Sequence, residues 1–164
     1  MRTITTHTTV YKFGELSEEA QRKALENLYG INVGFDWWDS TYEDAETIGC
    51  EIKGFDIDRG SYCRLACNDA HATALLIVEN HGPDCDTRKL AEQYLKDHDA
   101  LERDEDGDIF TDLLEALDVE FIRALGEEYL SLLRQEYEYQ TSEEAVKETI
   151  ECNEYDFTIE GRIF

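Results

Sequence analysis

The chain has 164 residues, 41% hydrophobic and 11% aromatic, which is enough apolar material for one folded domain without disulfide or metal staples. It carries 39 acidic against 15 basic side chains, a formal net charge of −24. Because like charges repel, this charge disfavours a phosphate backbone or an anionic membrane as a direct partner. A basic protein surface is the predicted partner, and acidity that serves only solubility or a salty cytoplasm is the alternative.

Export and membrane insertion are not indicated. No run approaches the roughly 20 apolar residues needed to cross a bilayer, and the segment from Met1 to His7 lacks the apolar core of a signal peptide. We therefore expect a cytoplasmic protein. Its five cysteines, an odd number, favour reduced and mostly buried thiols over a disulfide framework. A single proline and the lack of a linker-like tract predict one acidic domain over residues 1–164.

The N-terminal part of the chain predicts one strand and two helices. Residues 8–13 alternate weakly and are rich in β-formers, which favours a strand ending near Gly14. Ser17 then caps an amphipathic helix that is predicted to stop at Gly30. Residues 36–48 predict a second helix, with both tryptophans at least partly buried.

Two alternating segments, residues 50–58 and 61–67, predict a β-hairpin. The sequence Asp58-Arg59-Gly60 reads as its turn, with Gly60 supplying a positive φ. Gly54 interrupts the first strand and predicts a bulge there.

The middle of the chain contains one ambiguous apolar run and two predicted helices. The continuous apolar run over residues 72–78 fits either a buried strand or a buried helical turn, and we favour the strand. Residues 86–101 predict a helix with one apolar face. Residues 111–139 predict the longest helix, within which Gly126 costs about 1 kcal/mol relative to alanine without ending the element.

The C-terminal part predicts a shorter helix and a strand. Thr141 or Ser142 caps a helix that extends to Cys152, and residues 155–159 alternate into a last strand before a turn at Glu160-Gly161. The predicted fold class is α+β: a single domain with a small antiparallel sheet packed against several helices, one of them long.

One group of residues contains every ligand type that zinc uses: Cys63, Cys67 and His71, with His81 nearby. A structural zinc site usually opens with a closely set cysteine pair on a tight turn, whereas both cysteines here fall inside a predicted strand. We therefore interpret them as core residues.

The acidic loop from Glu102 to Asp108 resembles part of a calcium-binding loop. Gly107 and Ile109 occupy the positions of its glycine and its apolar residue. The twelfth position, however, is Leu113 rather than a bidentate glutamate, and the first is glutamate rather than aspartate. We interpret the loop as a solvated turn, with weak calcium binding as the alternative.

No motif indicates catalysis. The sequence lacks G-x-S-x-G, a Walker loop, H-E-x-x-H and a dinucleotide fingerprint, and its four histidines have no context that pairs them with a nucleophile. Among 39 acids, adjacent carboxylates arise by chance. We predict no enzyme, no catalytic residue, no metal site and no cofactor.

The positive prediction concerns the surface. Carboxylates at i, i+3 and i+4 on a helix lie about 5–6 Å apart, the same order as the phosphate spacing along a nucleic-acid strand. Such a face can imitate nucleic acid, and a solvated helix face is the alternative. The predicted partner-binding residues form a first cluster, Asp36, Asp39, Glu43, Asp44 and Glu46, and a second cluster, Glu127, Glu128, Glu136, Glu138, Glu143, Glu144, Glu148 and Glu151.

Three segments of the chain form a recognisable pattern. They are Tyr11-Lys12-Phe13-Gly14-Glu15-Leu16-Ser17-Glu18-Glu19-Ala20, Trp37-Trp38-Asp39 with Tyr42-Glu43-Asp44-Ala45, and Asn153-Glu154-Tyr155-Asp156-Phe157-Thr158 with the residues that follow to Phe164. Together they resemble a family of small acidic phage and prophage proteins, sometimes labelled antitoxins of toxin–antitoxin stability systems. The likeness extends over nearly the whole chain, and its motifs carry no catalytic residue.

This resemblance implies a mobile-element protein in the cytoplasm of a bacterial host. In that setting an acidic protein blocks a nucleic-acid-binding defence complex by occupying its groove, an anti-CRISPR-like role. Neutralisation of a basic toxin is the first alternative. An enzyme or metal-binding protein of unrecognised type is the second.

Overall fold

A computed structural model describes residues 1–5 and 7–164. The described residues form six α-helices and one two-stranded antiparallel sheet, so the predicted α+β class with one long helix is confirmed. They divide into two compact units: a terminal unit, Met1–Trp37 with Glu136–Phe164, and a central unit, Trp38–Gln135. The single domain over residues 1–164 stays a prediction.

Two capped helices form the frame of the terminal unit. Helix α1 spans Glu18–Leu28, and the Ser17 side chain accepts a hydrogen bond from the Ala20 amide at 3.3 Å. This confirms the predicted cap, which satisfies an amide at the helix start that has no partner within the helix. A short 3₁₀ turn at Ile31–Val33 follows α1.

The last helix of the chain begins with the same kind of cap. It spans Glu143–Cys152, and the Ser142 side chain accepts a hydrogen bond from the Ala145 amide at 3.2 Å. Of the two predicted caps, Ser142 is therefore the one in use. It is the last of the six α-helices, α6.

The two predicted terminal strands are wrong as strands. Tyr11 and Phe157 exchange backbone hydrogen bonds of 2.9 and 2.8 Å, and Phe157 also bridges Ile163, but neither segment extends into a named strand. The chain turns into a 3₁₀ helix at Phe13–Glu15, two residues after Tyr11, which ends the pairing. Phe157 is nonetheless fully buried, at the centre of this unit's core.

The predicted turn at Glu160-Gly161 is present, and it needs its glycine. Gly161 has φ +82°, and a Cβ built on it would lie 2.1 Å from the Ala20 carbonyl oxygen of α1. No side chain fits in that space. The terminal core consists of Phe13, Leu16, Ala20, Ala24, Val146, Ile150 and Phe157.

The central unit begins with a helix and the hairpin. Helix α2 spans Asp39–Thr47, which starts later than predicted because Trp38 occupies the N-cap position. Strands β1, Cys50–Asp56, and β2, Tyr62–Cys67, pair antiparallel as predicted. Both tryptophans are partly exposed, in agreement with the prediction.

The predicted bulge in the hairpin is confirmed, and the predicted positive φ at Gly60 is wrong. The register shifts between Ile52 and Gly54, where Gly54 adopts φ +151°, so the bulge lies where it was expected. In the turn it is Ser61, with φ +23°, and not Gly60 that has the positive φ. The two strands are joined at their far end by a disulfide between the directly paired Cys50 and Cys67.

The disulfide shows that the prediction of reduced, mostly buried thiols is wrong. Only Cys50 is a core residue, at 4% exposure, and it is oxidised. Of the free cysteines, Cys63 is half-buried, whereas Cys85 and Cys152 are exposed. An odd cysteine count does not exclude one bond, because antiparallel pairing alone brings two cysteines within reach.

The apolar run predicted as a strand is helical. Helix α3 spans Ala70–Asn80, and the Asp69 side chain caps it by accepting a hydrogen bond from the Ala72 amide at 2.8 Å. Ala70, Ala74 and Ile77 are buried at helical spacing. The run was ambiguous because its exposed face is apolar too, with Leu75 half exposed.

Helices α4, Asp86–Asp99, and α5, Thr111–Gln140, match their predictions closely. Helix α5 belongs to the central unit as far as Gln135, and its last five residues belong to the terminal unit. None of the helices in the described part of the chain is long and apolar enough to span a membrane.

In the central core the sheet packs against four helices, α2, α3, α4 and α5, so the predicted packing of a small sheet against helices is confirmed. Gly126 of α5 is buried, and a Cβ built on it would lie 2.7 Å from the Cys63 carbonyl oxygen of β2. The glycine therefore allows the helix to approach the strand. The core consists of Ala45, Ile48, Cys50, Ile52, Ala70, Ala74, Ile77, Ala91, Tyr94, Phe121, Leu125 and Tyr129.

Candidate acidic interaction surfaces

Three carboxylates of the first predicted cluster form one face of α2. Asp39, Glu43 and Glu46 are exposed and follow one another at i, i+4 and i+7, so they lie along the same side of the helix. None of the three makes an ion pair within residues 1–5 and 7–164. Asp36 is also exposed, but it belongs to the terminal unit.

Asp44, the fifth member of that cluster, is engaged inside the central unit. Its Oδ2 accepts a 2.6 Å hydrogen bond from the hydroxyl of Tyr129, a fully buried residue of α5. Burial, and after it this hydrogen bond to a carboxylate, raises the pKa of the Tyr129 phenol. Asp44 therefore has an internal role that its neighbours on α2 do not have.

Asp44 also faces a buried imidazole, an arrangement that the sequence pattern did not reveal. His81 Nε2 lies 3.5 Å from Asp44 Oδ1, and His81 Nδ1 lies 2.7 Å from the Thr87 hydroxyl. Carboxylate, imidazole and hydroxyl in this order are the groups that activate a nucleophile. Thr87 is only 6% exposed, however. These contacts link α2, α3, α4 and α5, and the Thr87 hydroxyl is not accessible to act as a nucleophile.

The second predicted cluster is divided between the two units. Glu127 and Glu128 belong to the central unit, where exposed Glu127 pairs with Arg123 and Glu128 is half-buried. Glu136, in the terminal unit, is half-buried and accepts a 2.7 Å hydrogen bond from Gln140. These carboxylates have local partners or limited exposure, which reduces their value as a free anionic face.

Helix α6 presents the better-formed part of the second cluster. Glu144, Glu148 and Glu151 are exposed at i, i+4 and i+7. Lys147 lies 3.8 Å from Glu151 and is the one basic residue of this helix. Glu138 and Glu143, also in the terminal unit, are exposed as well.

The densest acidic stretch of the sequence was not among the predicted clusters. The central unit has 25 carboxylates against nine Lys and Arg side chains, a net charge of −16. Between residues 97 and 120 there are 11 carboxylates and one guanidinium, Arg103. A running count of charge along the sequence would have found this segment. Its carboxylates, which we call the acidic segment and which are all exposed except half-buried Asp118, belong to Asp97, Asp99, Glu102, Asp104, Glu105, Asp106, Asp108, Asp112, Glu115, Asp118 and Glu120.

The predicted calcium-like loop lies within this acidic segment and is a closed turn. Asp104 Oδ1 accepts hydrogen bonds from the amides of Asp106 and Asp108, both at 3.0 Å. Gly107 has φ +90°, and Arg103 donates to its carbonyl oxygen at 3.1 Å. The loop thus uses the Asp104 carboxylate to bind its own backbone, as an Asx turn does.

Neither the zinc candidate nor the calcium candidate forms a set of metal ligands among the described residues. Cys67, one of the zinc candidates, is in the disulfide with Cys50 and has no free thiolate. Across residues 1–5 and 7–164, no group of three or more His, Cys, Asp or Glu side chains is arranged to hold a metal ion.

Comparison with known proteins adds no assignment. No protein-family model, no curated protein and no solved structure matches this chain.

Proposed function

We propose that this protein is an inhibitor that binds a basic, nucleic-acid-binding protein and occupies its nucleic-acid site. The observation that supports the proposal is the acidic segment, in which 11 carboxylates accompany one guanidinium within 24 residues. A protein that binds nucleic acid presents Lys and Arg to phosphates. A dense stretch of exposed carboxylates would compete for the same cations.

The resemblance to phage and prophage proteins suggests the setting. In a bacterial host, the target would be a nucleic-acid-binding defence complex, and the inhibitor would act in an anti-CRISPR-like manner. The short spacing of carboxylates on α2 and α6 is compatible with the same kind of contact. The acidic segment is the favoured surface because its carboxylates are the most numerous and the least neutralised.

Neutralisation of a small basic toxin is the second candidate. An open apolar groove between β2 and α5 in the central unit favours a dedicated protein partner with apolar side chains. That feature suits a toxin as well as a defence complex.

The test removes three charges from each surface in turn. The first variant carries Glu102→Gln, Glu105→Gln and Asp106→Asn. A second variant neutralises the α2 face and a third neutralises the α6 face, so that all three have the same net charge. Their substitutions are Asp39→Asn, Glu43→Gln and Glu46→Gln on α2, and Glu144→Gln, Glu148→Gln and Glu151→Gln on α6.

Each tagged protein is used to capture partners from host lysate at low and at high salt. We expect a nucleic-acid-binding protein that elutes with salt and is displaced by duplex DNA, because both compete for charged contacts. The first variant should capture much less of this protein than the wild type does, and the other two variants should capture as much as the wild type. Equal capture by all three variants, or a partner that DNA does not displace, would contradict the proposal.

A further inference from the structure

A groove in the central unit runs between β2 and one side of α5. Its volume is about 450 Å³, and the strand contributes residues 61–65 as one wall. The helix contributes the other wall at helical spacing. Its apolar lining comes from Tyr62, Leu65, Val119, Ile122, Gly126 and Leu130.

The groove is open and its apolar side chains are incompletely covered. Val119 is 62% exposed and Tyr62 is 44% exposed. The close approach of Gly126 to β2 brings helix and strand together at one point and leaves the space beside it unfilled. Apolar surface that lines an open groove is a common feature of protein-binding sites.

The charges along the α5 wall indicate what the groove binds. The side of the helix that carries Val119 and Ile122 continues toward the N-terminus as Asp112 and Glu115. Both carboxylates are exposed and neither makes an ion pair in the described part of the chain. A partner that fills the groove therefore meets two free carboxylates at that end.

The cations of the groove are partly neutralised. Arg123 forms ion pairs with Glu120 and Glu127. Arg64 lies over the Tyr62 ring, 5.5 Å from its centroid. These two guanidinium groups and the two carboxylates paired with Arg123 balance in formal charge, so the groove itself favours a segment that makes its main contact through apolar side chains.

We infer that the α5–β2 groove is a docking site for an amphipathic helical segment of the partner, with large apolar side chains in the groove and Lys or Arg beside Asp112 and Glu115. This inference rests on the proposed function, because it specifies where the basic partner binds. Helix-in-groove binding of this kind depends on a few apolar anchors, and flanking charges set specificity.

The direct test uses a defined probe, a fluorescein-labelled 18-residue peptide of leucine and lysine with leucines at i, i+3, i+4 and i+7. A peptide with the same composition in scrambled order serves as its control. Binding is measured by fluorescence anisotropy at near-physiological salt. We expect the amphipathic peptide to bind at least tenfold more tightly than the scrambled one. Equal binding of the two peptides would overturn the inference, since charge alone would then explain it.

Three variants locate the site. Tyr62→Ser with Val119→Ser should weaken binding of the amphipathic peptide at least tenfold, whereas Leu75→Ser, a half-exposed leucine of α3 outside the groove, should not. Asp112→Asn with Glu115→Gln should weaken binding and reduce its salt dependence. Loss of binding in the Leu75 variant, or wild-type binding in the groove variant, would place the site elsewhere.

The outcome separates the inference from the proposed function. If the groove variant still captures the DNA-displaced partner and still binds the peptide, the groove inference fails and the proposed function stands. If the peptide binds in the groove but no nucleic-acid-binding protein is captured from lysate, the proposed function fails and the groove stands as a protein-binding site.

Discussion

The hydroxyl of Tyr129 donates a 2.6 Å hydrogen bond to Asp44, a residue 85 positions earlier in the chain. Tyr129 is fully buried, so its hydroxyl needs an acceptor, and the Asp44 side chain of α2 supplies it. The Asp44 carboxylate of the acidic helix α2 therefore contributes to the stability of the fold. Its neighbours Asp39, Glu43 and Glu46 on α2 make no ion pair in the described part of the chain and can contact other molecules.

Replacement of this acceptor should destabilise the protein. We expect Asp44→Ala to lower the free energy of unfolding by about 1–3 kcal/mol, because the Tyr129 hydroxyl is left buried without its partner. Glu43→Ala, at the adjacent exposed position, should change it by less than about 0.5 kcal/mol. Urea unfolding followed by tryptophan fluorescence measures both. Equal effects of the two substitutions would show that the hydrogen bond contributes little.

Stability should fall at alkaline pH. Burial and a hydrogen bond to a carboxylate raise the pKa of both Tyr129 and Tyr94 above the ordinary value of about 10. The folded state therefore holds these protons more tightly than the unfolded chain does. Their contribution to the free energy of unfolding is fully present below about pH 10 and is lost as the pH rises through the folded pKa values.

A phenylalanine at position 129 cannot ionise, so Tyr129→Phe should show a shallower loss of stability above about pH 10 than the wild type. Tyr29→Phe, at an exposed tyrosine, should retain the wild-type slope. The measurement is urea unfolding at a series of pH values. Identical slopes for all three proteins would argue that the Tyr129 phenol does not titrate with unfolding.

Gly126→Ala should destabilise the protein, contrary to the usual effect of alanine in a helix. Alanine normally gains about 1 kcal/mol over glycine in a helix interior. Here its Cβ would lie 2.7 Å from the Cys63 carbonyl oxygen, so helix and strand must separate, at an expected net cost of about 1–3 kcal/mol. Gly14→Ala is the control, because a Cβ there meets nothing within 4 Å. A more stable Gly126 variant in thermal unfolding would refute the close packing.

The cysteines should react with iodoacetamide at distinct rates. Cys85 and Cys152 are exposed and should react first. Burial raises the pKa of Cys63 to about 11, so little of it is thiolate near neutral pH and its alkylation should be slow. Intact mass should show two fast adducts and one slow adduct, with Cys50 and Cys67 labelled only after reduction. Three adducts at one rate would contradict the assigned burial of Cys63.

Local patterns were sufficient for most elements of the fold. Ser17 and Ser142 cap the helices that they were predicted to cap, and the apolar stripe of α5 predicted its length within one residue of its observed end at Gln140. The hairpin and its bulge at Gly54 follow from alternation and from one glycine. These features depend on residues close together in the chain, so the sequence alone determines them. Net charge, from which a basic partner was predicted, is likewise a property of composition.

Contacts between distant residues were decided by tertiary structure. The apolar run at residues 72–78 has no clear period, and burial against α4 and α5 with a cap from Asp69 makes it helical. The pairing of Cys50 with Cys67 depends on strand register, and the inward role of Asp44 depends on a tyrosine 85 residues away. The α5–β2 groove exists because Gly126 sets the distance between a helix and a strand. Spacing along the chain carries no information about these separations, because only packing brings the partners together.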